Sequence, residues 1–223
     1  MNSCPCCGET SATSLPLERP RRPAAARASV SLRAAANASA ASSPTLDEAH
    51  CKVLTVGHST RPIEVFVALL RSHGVTRLID VRTVPRSRHN PQYNRDVLPL
   101  PLAAVNIGYA HASGLGGFRP TRPDSPNAGW RNLSFRGYAD YMQTTDFAVD
   151  LASVIELARN DRVALMCAEA VPWRCHRSLI ADALLVHGVA VCEIVSLERL
   201  QAHRLTPFAR VRGEEITYPL ADP

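Results

Sequence analysis

KVLTVGHSTRPIEVFVALLRSHGVTRLIDV, residues 52–81, decides the fold. Its first part, KVLTVG (52–57), is a β-branched run closed by glycine, the pattern of a short buried strand. From Arg61 to His73, Ile63, Phe66, Val67, Leu69 and Leu70 fall on one side of a 3.6-residue helix. Ser59 or Thr60 can cap that helix and Gly74 can stop it. RLIDV (77–81) is a second buried strand, and strand, helix, strand at this spacing implies a right-handed parallel crossover.

The alternation continues downstream. A helix near Asn94–Val105, a strand near Ile107–Ala110, helices over 135–144 and 146–160, the strand RVALMC (162–167) and a helix from His176 to His187 stopped by Gly188 lead to a closing strand, VAVCEIV (189–195). Strands that are apolar throughout, with no polar alternation, are those of a sheet covered on both faces. The sequence therefore predicts an α/β fold, a three-layer sandwich with a largely parallel central sheet, in a single domain with a long loop-rich insertion between Arg82 and Arg136. The expected organisation is a disordered tail over 1–50, the α/β domain over 51–200 and a C-terminal extension over 201–223.

Residues 1–50 are rich in Ala, Arg, Ser and Pro and lack aromatics, so they have little to bury. Their Arg- and Ser-rich character suits a transit peptide, but Glu9, Glu18 and the opening CPCCGE suit one poorly. Hydrophobic residues make up 46% of the chain and no apolar run nears the ~20 residues of a membrane span, which argues against a membrane partner. The seven cysteines are unevenly placed and follow no disulfide framework, so the expectation is a reducing, cytoplasmic compartment and free thiols. Net charge is +5, concentrated between Arg82 and Arg136, where eight arginines face only Asp96 and Asp124.

In open parallel sheets, ligands bind beyond the carboxyl ends of the strands. Three such ends are polar here: GHSTR after the first strand, DVRTVPRSR after the second and CAEAVPWRCHRS after the 162–167 strand. Cys167 ends a buried strand, and a loop then leads to a helix opening with Cys175-His176-Arg177-Ser178. A thiol near backbone N–H groups at a positive helix end can ionise and attack an electrophile while arginines hold its oxyanions. The candidate catalytic residues are Cys167, Cys175, Asp80, Glu169 and His176. The candidates for anion or substrate binding are His58, Ser59, Arg82, Arg86, Gly116, Gly117 and Arg177.

The strand, loop, helix logic around Cys167, with RLIDVR upstream, resembles that of rhodaneses and cysteine phosphatases. The loop departs from theirs: six residues separate Cys167 from Arg174, and Pro172 and Trp173 stand where small residues are usual. Two other readings stay open. Arginines interleaved with Tyr93, Tyr109, Phe118, Trp130 and Phe135 suit a nucleic-acid or nucleotide binding module. Cys167, Cys175 and His176 suit metal binding, although Cys-x7-Cys-His is not a common zinc spacing and no metal ligand or cofactor is assigned. The candidate partners are an anionic small molecule, a nucleotide or nucleic acid.

VGHSTRPIEVFVALLRSHGV, LIDVRTVPRSRHNPQYN, GLGG, WRNLSFRGYADYM and ALMCAEAVPWRCHRSLIADAL together resemble the domain-of-unknown-function 488 family, from about Val53 to Val195. The residues that carry the likeness are Gly57-His58-Ser59, Asp80-Val81-Arg82, Pro85, Ser87, Gly116-Gly117, Cys167, Glu169 and Cys175-His176-Arg177. The resemblance implies a shared site at the polar strand ends and names no substrate.

Overall fold

The computed structural model describes residues 51–220; the tail expected over 1–50 and its three cysteines lie outside them. A six-stranded sheet runs in the order β3-β2-β4-β1-β5-β6, with β1 Val53–Gly57, β2 Arg77–Asp80, β3 Gly108–His111, β4 Val163–Cys167, β5 Val191–Ile194 and β6 Leu200–Ala202. All pairings are parallel except that of β5 with β6. Central β1 and β4 are buried at every position, in keeping with their mostly apolar, non-alternating sequences.

Side-chain alternation divides the core in two. Leu54, Val56, Leu78, Ala164 and Met166 pack on one face with Phe66, Leu69 and Leu70 of α1 (Ile63–Ser72) and with Leu98 and Leu102, around α2 (Pro99–Ala103). Val53, Ile79, Val163 and Leu165 pack on the other with α3 (Leu133–Tyr141), α4 (Thr145–Asn160) and α5 (Arg177–Val186). The result is the expected three-layer α/β sandwich.

The local differences have physical causes. Helix α1 has no side-chain cap: it starts after Pro62, whose φ of −55° is preset for the first turn. Ser59 is instead drawn into a left-handed turn at φ 51°, where its N–H donates to Ala168 O. Gly74 and Gly188 adopt left-handed conformations just after α1 and α5, as their stop role demands. Helix α2 is shorter than the expected 94–105 span, because Pro99 and Pro101 lack the N–H groups that would continue it backward.

Two of the cysteines expected to be free are joined. Cys51, just before β1, and Cys192, on β5, form a buried disulfide across a sequence separation of 141, while Cys167 and Cys175 remain thiols. Proximity in adjacent strands brings together residues that no local spacing relates.

The segment after β6 is anchored by one carboxylate. Asp182 on α5 is fully buried and accepts hydrogen bonds from His203 Nε2 (2.8 Å), Thr206 N (3.1 Å), Thr206 Oγ1 (2.6 Å) and Tyr218 Oη (2.9 Å). Tyr218 follows the hairpin of β7 (Arg210–Arg212) and β8 (Glu215–Thr217), is itself fully buried, and packs with Trp130 and Phe208. Asp182→Ala leaves several of these donors buried and unpaired, so it is expected to lower unfolding free energy by about 3 kcal/mol in urea titrations. A loss below about 1 kcal/mol would show that the carboxylate does not anchor this segment.

Candidate active site

The carboxyl ends of β1, β2 and β4 meet at a cavity of about 700 Å³. His58 and Ser59 follow β1, Arg82 and Arg86 follow β2, and Cys167 and Glu169 come from the end of β4; all six line it, together with Gly117, Phe118, Tyr138, Arg174, Cys175 and His176. The convergence expected from three polar strand ends is present.

Close packing at Gly57 brings β1 and the loop after β4 together. A Cβ at position 57 would lie 1.9 Å from Glu169 O and 2.7 Å from Ala170 Cα, so only glycine admits this loop. His58 N–H donates to Cys167 O (2.9 Å) and Ser59 N–H to Ala168 O (3.0 Å), continuing the β1–β4 ladder into the turn.

Asp80, Asp140 and Arg177 are built into the scaffold. Asp80 is fully buried and outside the cavity lining; it accepts from Arg82 N (3.1 Å), Arg82 Nε (2.8 Å), Arg82 Nη2 (2.5 Å) and Tyr109 Oη (2.9 Å). Arg82 also donates to Tyr93 O (2.6 Å) and, from Nη1, to His58 Nε2 (3.3 Å). Most of its donors are thus engaged before any ligand arrives. Arg177 is fully buried and also outside the lining: it donates to Glu169 O, to Ala170 O (2.9 Å) and to Glu193 Oε1 (3.2 Å). These contacts hold both side chains in the interior, away from the cavity surface. Asp140 gathers Arg122 N, Ser125 Oγ and Asn127 Nδ2, and so shapes the loop before α3.

Both cavity histidines are held neutral. His58 Nδ1–H donates to Ser59 O (2.7 Å), leaving Nε2 as the acceptor for Arg82, and the ring stacks on buried Tyr93 at 4.0 Å. His176 Nε2–H donates to Val81 O (3.1 Å), which turns Nδ1 toward Cys175 Sγ at 3.8 Å. Burial is the main force lowering each ring from the ordinary histidine value to about 4.

The thiols are set against one another. A hydrogen bond from Cys175 is the largest influence drawing Cys167 well below the ordinary thiol range; burial opposes it, and the backbone N–H groups of Glu169 and Ala168 and the charge of Arg177 reinforce it. Donating that bond, together with burial, pushes Cys175 far up. Of the two, Cys167 is the one whose setting favours the charged form. Cys167, Cys175 and His176 also offer donor atoms within 4.8 Å of one another, the one such cluster found among the described residues. Metal ligation there would require both thiols to give up their protons.

The two loop glycines are explained by packing. A Cβ at Gly116 would strike Thr83 Oγ1 at 2.6 Å, and one at Gly117 would sit 3.1 Å from His176 Nδ1. Gly117 lines the cavity and Gly116 does not. The arginine-rich segment is likewise turned inward in part: Arg119 donates to Gly114 O and Gly116 O and Arg136 to Trp130 O, while Arg122 pairs with Asp124 on the surface. Of its aromatics, Tyr93 and Phe135 are buried and Trp130 packs against Phe135 and Phe208, while Phe118 is 88% exposed. Arg86 and Arg174 are exposed at the cavity and have no ion-pair partner among the described residues.

Tyr93, Tyr109, Thr83 and Gly57 matter to this site through contacts that sequence reasoning did not assign. For Gly57 the available signal was its place at a strand end; for the tyrosines, aromatic character pointed equally to core or ligand.

A family model described as domain of unknown function DUF488 matches residues 62–184. Comparison with curated proteins and with solved structures gives no match.

The neutral histidines make stability depend on pH. Each ring has a folded value near 4 against about 6.5 unfolded, so the unfolded chain binds more protons between those limits. Their contribution is fully present above about pH 6.5 and is lost as pH falls toward 4. Urea midpoints are expected to fall between pH 7 and pH 5, and the doubly substituted His58→Asn, His176→Asn protein should show a shallower decline. Equal slopes for the two proteins would contradict the assignment.

Proposed function

The chain belongs to the family described as domain of unknown function DUF488, and within it we propose that this protein is a small thiol-dependent enzyme acting on a phosphate- or sulfur-containing anion. The setting of Cys167 carries the reading: a thiol drawn toward its thiolate by Cys175 and two backbone N–H groups opens onto a large cavity that also receives two exposed arginines. Its 9% exposure is that of a nucleophile at a cavity floor.

In the proposed step, Cys167 Sγ gives an electron pair to an electrophilic sulfur or phosphorus. The new bond forms as the bond to the leaving group breaks, and the leaving group departs with that bonding pair. Arg86 and Arg174 hold the oxyanions, a duty for which Arg82 has few free donors and Arg177 no access. With a phosphoryl or sulfuryl group on Cys167, attack by water at its phosphorus or sulfur then releases phosphate or sulfate and restores the thiolate, with Glu169 at the cavity wall taking the water's proton. Cys175 acts through Cys167 by donating its S–H to it.

The same reading puts the chain in the cytoplasm, where such a thiol stays reduced. The Cys51–Cys192 bridge, with its sulfurs on residues only 1% and 0% exposed, is shielded from soluble reductants. Among the described residues no helix is long and apolar enough to cross a membrane.

Iodoacetamide labelling, mapped by mass spectrometry, tests the proposal. Cys167 should alkylate with a midpoint well below the ~8.5 of a free thiol. Cys175→Ala should move that midpoint up, and Cys175→Ser, which keeps a hydroxyl donor, should largely restore it. A midpoint at or above ~8.5 in the unsubstituted protein would remove the nucleophile from the scheme.

A further inference from the structure

Gly116–Arg119 form a braced turn whose only outward product is one aromatic ring. Phe118 lines the cavity, stands 88% exposed, and has φ 60°, a region that residues with large side chains seldom adopt. The turn is fixed from both sides. Thr83 Oγ1 donates to Gly117 O (2.9 Å), and Arg119 donates to Gly116 O (3.0 Å) and Gly114 O (2.7 Å). The Arg119 guanidinium lies over the Tyr141 ring at 3.6 Å, and Gly137 gives room for Arg119 O, which a Cβ there would meet at 2.2 Å. Phe118 thus presents an apolar ring at the cavity from a disfavoured backbone conformation that its neighbours enforce.

The cavity supplies the rest of that partner's description. At about 700 Å³ it is far larger than a bare inorganic anion needs and falls in the range of sites for whole organic ligands. Its wall combines Phe118 with the exposed cations Arg86 and Arg174. We propose that Phe118 is a stacking platform, and that the anion taken by this cavity carries a planar ring, lying on Phe118 while its charged end meets Arg86 and Arg174. A nucleotide and an aryl phosphate or sulfonate share this chemistry. The inference rests on the reading of the cavity as a substrate site, and it specifies which member of the anion class that site selects.

Equilibrium binding to the Cys167→Ser protein tests recognition without turnover. Three pairs of probes match charge while adding or removing the ring: phenyl phosphate with methyl phosphate, benzenesulfonate with methanesulfonate, and AMP with ribose 5-phosphate. The ring-bearing member is expected to bind about tenfold more tightly, as stacking on a single aromatic provides. Adding Phe118→Leu should abolish the preference without lowering thermal stability, because the ring is exposed, whereas Phe118→Trp should keep it. Arg174→Gln should weaken both members of a pair alike. A preference confined to AMP identifies a nucleobase as the ring, and one shared by all pairs identifies any aryl group; both support the proposal. Equal affinities within every pair, no binding by any ring-bearing probe, or a preference that survives Phe118→Leu overturns it. The alkylation profile of Cys167 is an independent measurement, so a normal thiol there together with intact ring selectivity would reject the enzyme and leave the binding platform standing.

Discussion

Arg177 is the largest side chain fully buried in the described residues, and its placement fixes the polarity of the loop after β4. A guanidinium removed from water loses several kcal/mol of solvation unless it is densely hydrogen-bonded. Here the compensation comes from Glu169 O, Ala170 O and the Glu193 carboxylate. Binding those two carbonyls on the inner side leaves the neighbouring N–H groups of Ala168 and Glu169 directed at Cys167. One buried cation thus turns an ordinary strand-to-helix connection into a setting for an anionic sulfur, and adds its own positive charge behind it.

The opposite wall is organised by a second buried ion pair. Asp80 orients Arg82, Arg82 orients His58, and Tyr93 supports both by stacking on the imidazole and offering its carbonyl to the guanidinium. Such a chain is costly to break at any link, because each member removed leaves a charged or polar group buried without a partner. It is also largely saturated. Arg86, Arg174, Glu169 and Phe118 are instead exposed at the cavity, around the Cys167 sulfur.

The sheet and its two helical layers were legible because β1 and β4 are mostly apolar runs, β2 has the apolar pair Leu78-Ile79 at its centre, and α1 and α4 carry a clear 3.6-residue period. The meeting of His58, Arg82 and Cys167 followed from the parallel sheet, which puts consecutive strand ends on one rim. What sequence could not supply was direction. Asp80 and Arg177 have the chemistry of catalytic groups, and only the structure shows their side chains turned into buried contacts outside the cavity lining. Phe118 and Phe135 are the same residue type in the same arginine-rich segment, yet one faces solvent and the other packs on Trp130. The Cys51–Cys192 bridge joins residues whose proximity exists only once β1 and β5 are side by side. The absent cap of α1 has the same origin, since Ser59 was claimed by a contact with the loop more than a hundred residues away.

Gly57 carries no functional group, yet the loop that follows Cys167 rests directly on its α-carbon. Replacing one hydrogen by a methyl there would lift the Glu169–Ala170 backbone and take the thiol's surroundings apart, with no acid, base or ligand removed. In a saturation mutagenesis survey scored by growth or signal, position 57 would look as intolerant as the cysteine itself. Intolerance at such a place measures the clearance between two stretches of main chain, and assigning chemistry from it would mistake the hinge pin for the blade.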